Sequence, residues 1–148
     1  MTRSGPGSDG RCLVEGTASG PALVLSEPLS FWGGLDSATG KILDRHHPQV
    51  GEVVSGKVLV MPRGRGSSSS SSTLAEALNL GTGPAAILLA EADPIVALGS
   101  LVVKELYGTS APVAVLPPNE YRRIATGDQV ALRASVEKPL HLHIETRN

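Results

Sequence analysis

The chain has a single cysteine, Cys12, among its 148 residues. It cannot close an internal disulfide. One thiolate also cannot by itself hold a structural zinc or an iron–sulfur cluster, since both draw several ligands from the protein. Cluster chemistry would therefore need a partner chain, and Cys12 reads as a small core residue of the first strand. Excess charge of one sign is lacking too. The 13 Lys and Arg against 14 Asp and Glu give a formal net charge of −1, and the scattered cations form no basic stripe of the kind nucleic-acid binding requires. No apolar run approaches the roughly 20 residues needed to span a bilayer. The polar residues 1–9 do not resemble a secretory signal, so the expectation is a cytoplasmic protein with no membrane or nucleic-acid partner. Internal repeats are absent. With 41% apolar residues, this length suits one domain with a full core over residues 11–148, preceded by a disordered glycine- and serine-rich tail over residues 1–10.

Pro62-Arg63-Gly64-Arg65-Gly66, the six serines at 67–72 and then Thr73-Leu74-Ala75-Glu76 form the most informative stretch. The apolar run Gly56-Lys57-Val58-Leu59-Val60-Met61 reads as a buried strand stopped by Pro62. Gly64 and Gly66 permit positive φ and a close approach of backbone to a ligand. Beyond the serines, Leu74, Ala77 and Leu78 recur at helical spacing. Thr73 and Glu76 have the spacing of a capping box, and Gly81 is a natural stop. Strand, glycine loop and helix in that order make a junction where N–H groups point outward and negative charge is favoured. The spacing argues against a nucleotide-binding P-loop, because no Gly-Lys-Ser/Thr follows at the required interval. A flexible linker is the alternative on serine content, but a linker should not be flanked at once by a buried strand and a capped helix. The favoured reading is an active-site or anion-binding loop.

Residues 11–18 and 21–26 read as two strands joined through Ser19-Gly20, hairpin-like or sharply bent. Residues 27–52 form a long connection with little periodicity, and such connections are uncommon unless they serve a function. Residues 84–90 read as a second buried strand. Asp93 is placed as N-cap of a helix with Pro94 at its first position and Gly108 past its end. Residues 112–116 suggest another strand and 119–124 a helical turn. Residues 129–136 alternate as a half-exposed strand, and 140–145 close the sheet. This order suggests a β-barrel or sandwich flanked by helices.

The segments Leu29-Ser30-Phe31-Trp32-Gly33-Gly34-x-Asp36, Thr39-Gly40, His47-Pro48, Val60-Met61-Pro62-Arg63-Gly64-Arg65-Gly66-Ser67, Pro84-Ala85-Ala86-Ile87 and Asp93-Pro94-Ile95 resemble, in order, the small subunit or swivelling domain of the aconitase X dehydratases. The resemblance covers roughly residues 11–135. It implies an α+β fold, a swivelling β/β/α domain like the mobile fourth domain of aconitase. It also implies docking, in a heterodimer or larger assembly, on a large subunit that carries an iron–sulfur cluster, with hydro-lyase activity only in that complex. Two family activities are implied, dehydration of cis-3-hydroxy-L-proline and of mevalonate 5-phosphate. The first is preferred because Trp32, His46-His47-Pro48 and the serine-rich segment look more like the bacterial members. The second suits a loop bearing Arg63 and Arg65. A non-catalytic anion-binding or regulatory module is the rival reading.

In this family the serine after the Gly-Arg/Lys-Gly turn is the proton acceptor, and Ser67 matches it. Ser68 shares that backbone environment and remains an alternative, while Ser69 to Ser72 are expected to cap or enter the helix. Elimination of water from a hydroxy acid needs a base beside the carboxylate and a Lewis acid for the hydroxyl, facing each other across the substrate. A serine is a poor base at its free pKa, so the helix N-terminus and Arg65 would stabilise the alkoxide and bind the carboxylate. Arg65, Gly66, Ser68 and Arg63 are the expected substrate-binding residues, and no metal ligand is expected in this chain. His46 and His47 read as surface residues or as a pH-sensitive pair. His141 and His143 share one strand face, exposed or metal-binding. Asp36 is expected to bond its own loop. Phe31 and Trp32 are expected to be half-buried anchors and, both of them, candidate contacts to the large subunit.

Overall fold

The computed structural model describes residues 2–109 and 111–146, with residues 2–8 described by backbone only. In chain order the elements are β1 (Thr2–Ser8), β2 (Arg11–Val14), β3 (Gly16–Val24), a four-residue turn α1 (Phe31–Gly34), β4 (Leu35–Asp36), β5 (Lys41–Ile42), β6 (Val58–Met61), α2 (Ser68–Leu80), β7 (Ala86–Leu89), α3 (Pro94–Tyr107), β8 (Val113–Val115), α4 (Pro118–Tyr121), β9 (Gln129–Ala134) and β10 (Leu140–Glu145). Eight strands join in the order β1-β10-β9-β3-β6-β7-β8-β2, and β4 and β5 form a separate pair.

The pivot of this arrangement is β3. Its residues 16–21 run antiparallel to β9, and Ala22, Leu23 and Val24 then run parallel to β6. The change of partner falls at Pro21, which has no N–H to give to a ladder. Just before it, a Cβ at Gly20 would lie 2.6 Å from the Gly56 carbonyl oxygen. The expected break at Ser19-Gly20 is therefore corrected. The chain is interrupted at Glu15 instead, and Gly20 admits a neighbouring backbone inside a continuous strand.

Alternating side chains of the parallel strands build two cores, since successive residues of a strand point to opposite faces. Val58, Val60, Ala86 and Leu88 pack with Val130, Leu132, Leu142 and Ile144 of β9 and β10. Leu59, Met61, Ile87 and Leu89 pack with Leu74, Ala77 and Val96 of the helices and with Leu29 and Phe31. The result is the β/β/α layering that the resemblance implied. Burial of each Val, Leu, Ile, Met or Phe among them contributes about 1.5–3 kcal/mol.

Two further expectations are corrected. The tail expected at residues 1–10 is instead largely β1, paired antiparallel with β10. The free edge of β10 supplies a main-chain ladder that composition does not reveal. α2 begins not at the Thr73 to Glu76 spacing but at Ser68, so Ser69 to Ser72 enter the helix as expected and Ser68 joins them. Serine is a weak helix former because its hydroxyl competes for backbone groups. Here that competition is absorbed inside the helix: the Ser71 hydroxyl donates to the Ser68 carbonyl at 2.6 Å and the Thr73 hydroxyl to the Ser69 carbonyl at 3.2 Å. The linker reading fails with it. The other helix ends fall where the sequence places them, with Asp93 capping α3, Pro94 in its first turn, and Gly81 and Gly108 in left-handed C-caps at φ 81 and φ 73.

Cys12 lies in β2, partly buried against the core between the sheets. Burial pushes its thiol above the usual range, Glu15 adds to the shift and Lys104 opposes it. No helix among the described residues is long and apolar enough to cross a membrane.

α2 and α3 meet at Gly99, where a Cβ would lie 2.8 Å from the Ser71 carbonyl oxygen and 3.1 Å from Leu74 Cδ2. Gly99→Ala is expected to lower stability by about 1–2 kcal/mol despite alanine's better helix propensity, measured by urea unfolding. A higher midpoint would mean that the helices separate without cost.

Candidate active site

β6 ends at Pro62, whose carbonyl accepts hydrogen bonds from the N–H groups of Ala90 and Glu91, both at 3.0 Å, just past β7. The loop then passes α3. Gly64 N–H donates to Asp93 Oδ2 at 2.9 Å, while Asp93 Oδ1 accepts from Ile95 N–H at 2.9 Å and Val96 N–H at 3.2 Å. One carboxylate thus caps a helix and anchors the loop. Gly64 has no room for a side chain, since a Cβ would lie 2.8 Å from Val96 Cγ2 and 2.9 Å from Asp93 Oδ2. Arg65 N–H donates to the Leu29 carbonyl at 3.0 Å, tying the loop to the segment before α1.

Gly66 is at φ 111, and a Cβ there would fall 2.8 Å from Ser70 Oγ and 2.9 Å from Ser30 Oγ. Both constraints demand glycine. Ser67 follows as N-cap of α2. Its carbonyl accepts from Ser70 N–H at 2.9 Å and its hydroxyl from Ser69 N–H at 3.4 Å. Ser67, Ser68 and Ser69 are exposed, whereas Ser70 and Ser71 are buried. The Ser67 hydroxyl therefore stands on an open rim at the N-terminus of a 13-residue helix, where partial positive charge favours an anion.

The two arginines differ. Arg63 lies 3.8 Å from Glu91 with both side chains exposed, a pair worth little in water. The exposed Arg65 guanidinium makes no ion pair among the described residues. Its backbone is fixed on both sides, through its N–H to Leu29 and its carbonyl to Ser70, two residues before Ser67. The crevice under the loop, lined by Phe31, Gly64, Arg65, Gly66, Ser70 and Asp93 among others, holds only about 10 Å³. That is barely the space of one water. A substrate at Ser67 needs a second wall.

The other candidates are dispersed. Asp36 bonds its own turn, accepting from Ala38 N–H and the Thr39 hydroxyl at 3.0 Å each. His46 is exposed, but the surface reading of His47 is corrected: it is 4% exposed. Gln49 N–H donates to its Nδ1 at 3.0 Å, which leaves the hydrogen on Nε2, 3.1 Å from the Glu27 carbonyl. It holds the 27–52 connection closed. His141 and His143 lie on the outer face of β10, and His143 is 3.6 Å from Glu145. No group of three or more His, Cys, Asp or Glu is placed to hold a metal ion among the described residues. Phe31 is fully buried and Trp32 is 66% exposed, so only the first is an anchor. Sequence reasoning missed the second oxygen of Asp93 and the buried hydroxyls of Ser30 and Ser70. An Asp-Pro cap leaves one carboxylate oxygen to spare, a weak signal for the first; nothing marks the others.

Fold and loop together define a β/β/α unit whose candidate chemistry sits on an open rim. The chain belongs to the aconitase X swivel domain family, whose model matches residues 8–140. It is 50% identical over 106 residues to the cis-3-hydroxy-L-proline dehydratase of Pseudomonas aeruginosa, covering 72% of this chain and 18% of that protein. It is 43% identical over 94 residues to the phosphomevalonate dehydratase small subunit of Methanothermobacter thermautotrophicus, covering 64% of this chain and 72% of that one. Thermococcus kodakaraensis aconitase X in its holo-form superposes with a TM-score of 0.80 at 31% identity, over 96% of this chain and all of that chain. The chain spans only about a fifth of the length of the cis-3-hydroxy-L-proline dehydratases it matches.

Asp93→Ala removes the cap of α3 and the acceptor of Gly64 together. The expected loss is about 2 kcal/mol in urea unfolding, with Asp93→Asn intermediate because an amide has a single acceptor oxygen. Full stability in Asp93→Ala would show that the loop is held by something else.

Proposed function

We propose that this chain is the swivelling part of an aconitase X-type hydro-lyase and supplies the base, Ser67, for elimination of water from a hydroxy acid, most simply cis-3-hydroxy-L-proline. The observation that carries the reading is the exposed Ser67 hydroxyl, set by a glycine turn at the head of α2, two residues after Arg65, which makes no ion pair among the described residues. The 50% identity to a cis-3-hydroxy-L-proline dehydratase supports the substrate.

In this reading the substrate carboxylate lies against Arg65 and the outward N–H groups of Gly66 and Ser68, with Arg63 adding charge at the edge. The Ser67 hydroxyl faces the acidic carbon and takes its proton. Alkoxide character at Ser67 is favoured by the Ser69 N–H, the helix N-terminus and the Arg65 charge, which act more strongly once a second surface excludes water. That surface is a large aconitase X subunit, or the remainder of a longer chain, and the exposed Trp32 is suited to its border. The iron–sulfur cluster that the family implies belongs to that partner. The donor set here does not fit one, with Cys12 alone in β2 and no ligand cluster among the described residues. The setting is the cytoplasm, where a free thiol such as Cys12 stays reduced.

A second reading, mevalonate 5-phosphate as substrate, is favoured by the similarity to archaeal phosphomevalonate dehydratase small subunits and by two arginines that suit a phosphate.

The test is elimination by the reconstituted complex on both substrates. Ser67→Ala is expected to lower kcat by about 10²- to 10⁴-fold, the usual worth of a general base, and Ser68→Ala by much less. A larger loss from Ser68→Ala would move the base one residue on. Turnover retained in Ser67→Ala would reject the base, and a cluster-loaded complex inert on both substrates would favour a binding module.

A further inference from the structure

Ser70 stands apart from the three serines before it. It is 2% exposed, and its hydroxyl meets the Arg65 carbonyl at 3.2 Å, Ser30 Oγ at 3.3 Å and Trp32 N–H at 3.4 Å. The one hydrogen of Ser30 Oγ serves either the Trp32 carbonyl at 3.0 Å or Ser70 Oγ at 3.3 Å. A hydroxyl has one hydrogen and two lone pairs. The Arg65 carbonyl can only accept and the Trp32 N–H can only donate, so the Ser70 O–H points to Arg65 while its oxygen receives Trp32. The peptide between Arg65 and Gly66 is planar and trans, which sets its N–H opposite its C=O. With the carbonyl drawn inward to Ser70, the Gly66 N–H is turned away from the interior, and it has no acceptor among the described residues.

We propose that Ser70, supported by Ser30, is a positioning residue for the elimination: through the Arg65 carbonyl it orients the Gly66 N–H toward the substrate carboxylate and sets the φ of Gly66 that brings Ser67 to the rim. The inference rests on the assignment of Ser67 as base and adds the buried hydroxyl pair on which that base depends. The close approach at Gly66 supports it, because the space a Cβ would need is taken by these two hydroxyls.

The reconstituted complex tests it with Ser70→Ala, Ser70→Thr, Ser30→Ala and the Ser30→Ala/Ser70→Ala double variant, beside Ser67→Ala. Ser70→Ala is expected to lower kcat/KM by about 10- to 100-fold, the cost of a small misplacement of reacting groups. The melting temperature should fall by no more than about 4 °C, as for one lost hydrogen bond in a chain of this size. Ser70→Thr, which keeps the hydroxyl, should recover most of the activity. The double variant should be little worse than Ser70→Ala, as expected of residues acting as a unit. In this chain alone, the Gly66 amide resonance should shift in Ser70→Ala and stay near its native position in Ser70→Thr. Wild-type kcat/KM in Ser70→Ala, equal impairment of the alanine and threonine variants, or additive losses in the double variant would each overturn the proposal. If Ser67→Ala keeps its turnover, the base assignment fails instead, and the Gly66 resonance still reports whether Ser70 orients the peptide.

Discussion

The Asp93 carboxylate is the fixed point on which the loop depends. One oxygen closes the first turn of α3 at Ile95 and Val96, and the other holds the Gly64 N–H. Hydrogen bonds from amides to a carboxylate are stronger than those between neutral groups. α3 packs on α2 through Gly99, and α2 is seated on the sheet by Leu74 and Ala77. The loop therefore takes its position from the core. Ser67 reaches the rim as the end of a chain of contacts running from the parallel strands through both helices, rather than as a residue of a free surface loop.

Much of this frame is legible in the sequence, where one local pattern corresponds to one structure. The apolar runs of β6 and β7 are short and bounded by proline or glycine, as strands covered on both faces are, and Asp93, Pro94 and Gly108 bound α3 by requirements that act within a turn of chain. The glycine turn ahead of Ser67 is legible for the same reason, with Gly66 at φ 111. What stays hidden depends on partners distant in sequence. The helical serines 68–72 defy local propensity because Ser70 and Ser71 are buried against neighbouring elements and their hydroxyls bond back into their own chain. β3 is continuous through Gly20 because another backbone, at Gly56, needs the space. His47 is buried by a segment that shows no periodicity. β1 exists because β10 offers an unpaired edge.

The open rim explains why the site looks incomplete by itself. A carbon acid is deprotonated where water is excluded and charges are held still, yet the crevice beneath this loop holds about 10 Å³. In the proposed reaction the chain contributes one half: a hydroxyl, a cation and backbone donors at the head of α2. A rigid half on a domain that closes against another body combines access in the open state with exclusion of water in the closed one. In that arrangement Trp32, 66% exposed beside the hydroxyl cluster of Ser30 and Ser70, would meet the partner first.

The central claim, that the Ser67 hydroxyl takes the proton, is tested most directly by the crystal structure of the closed complex with an unreactive substrate analogue bound. The account predicts Ser67 Oγ at about 3–3.5 Å from the carbon that loses its proton, with the analogue's carboxylate against Arg65. A closed complex in which Ser67 lies well beyond that distance, with another side chain in its place, would contradict it.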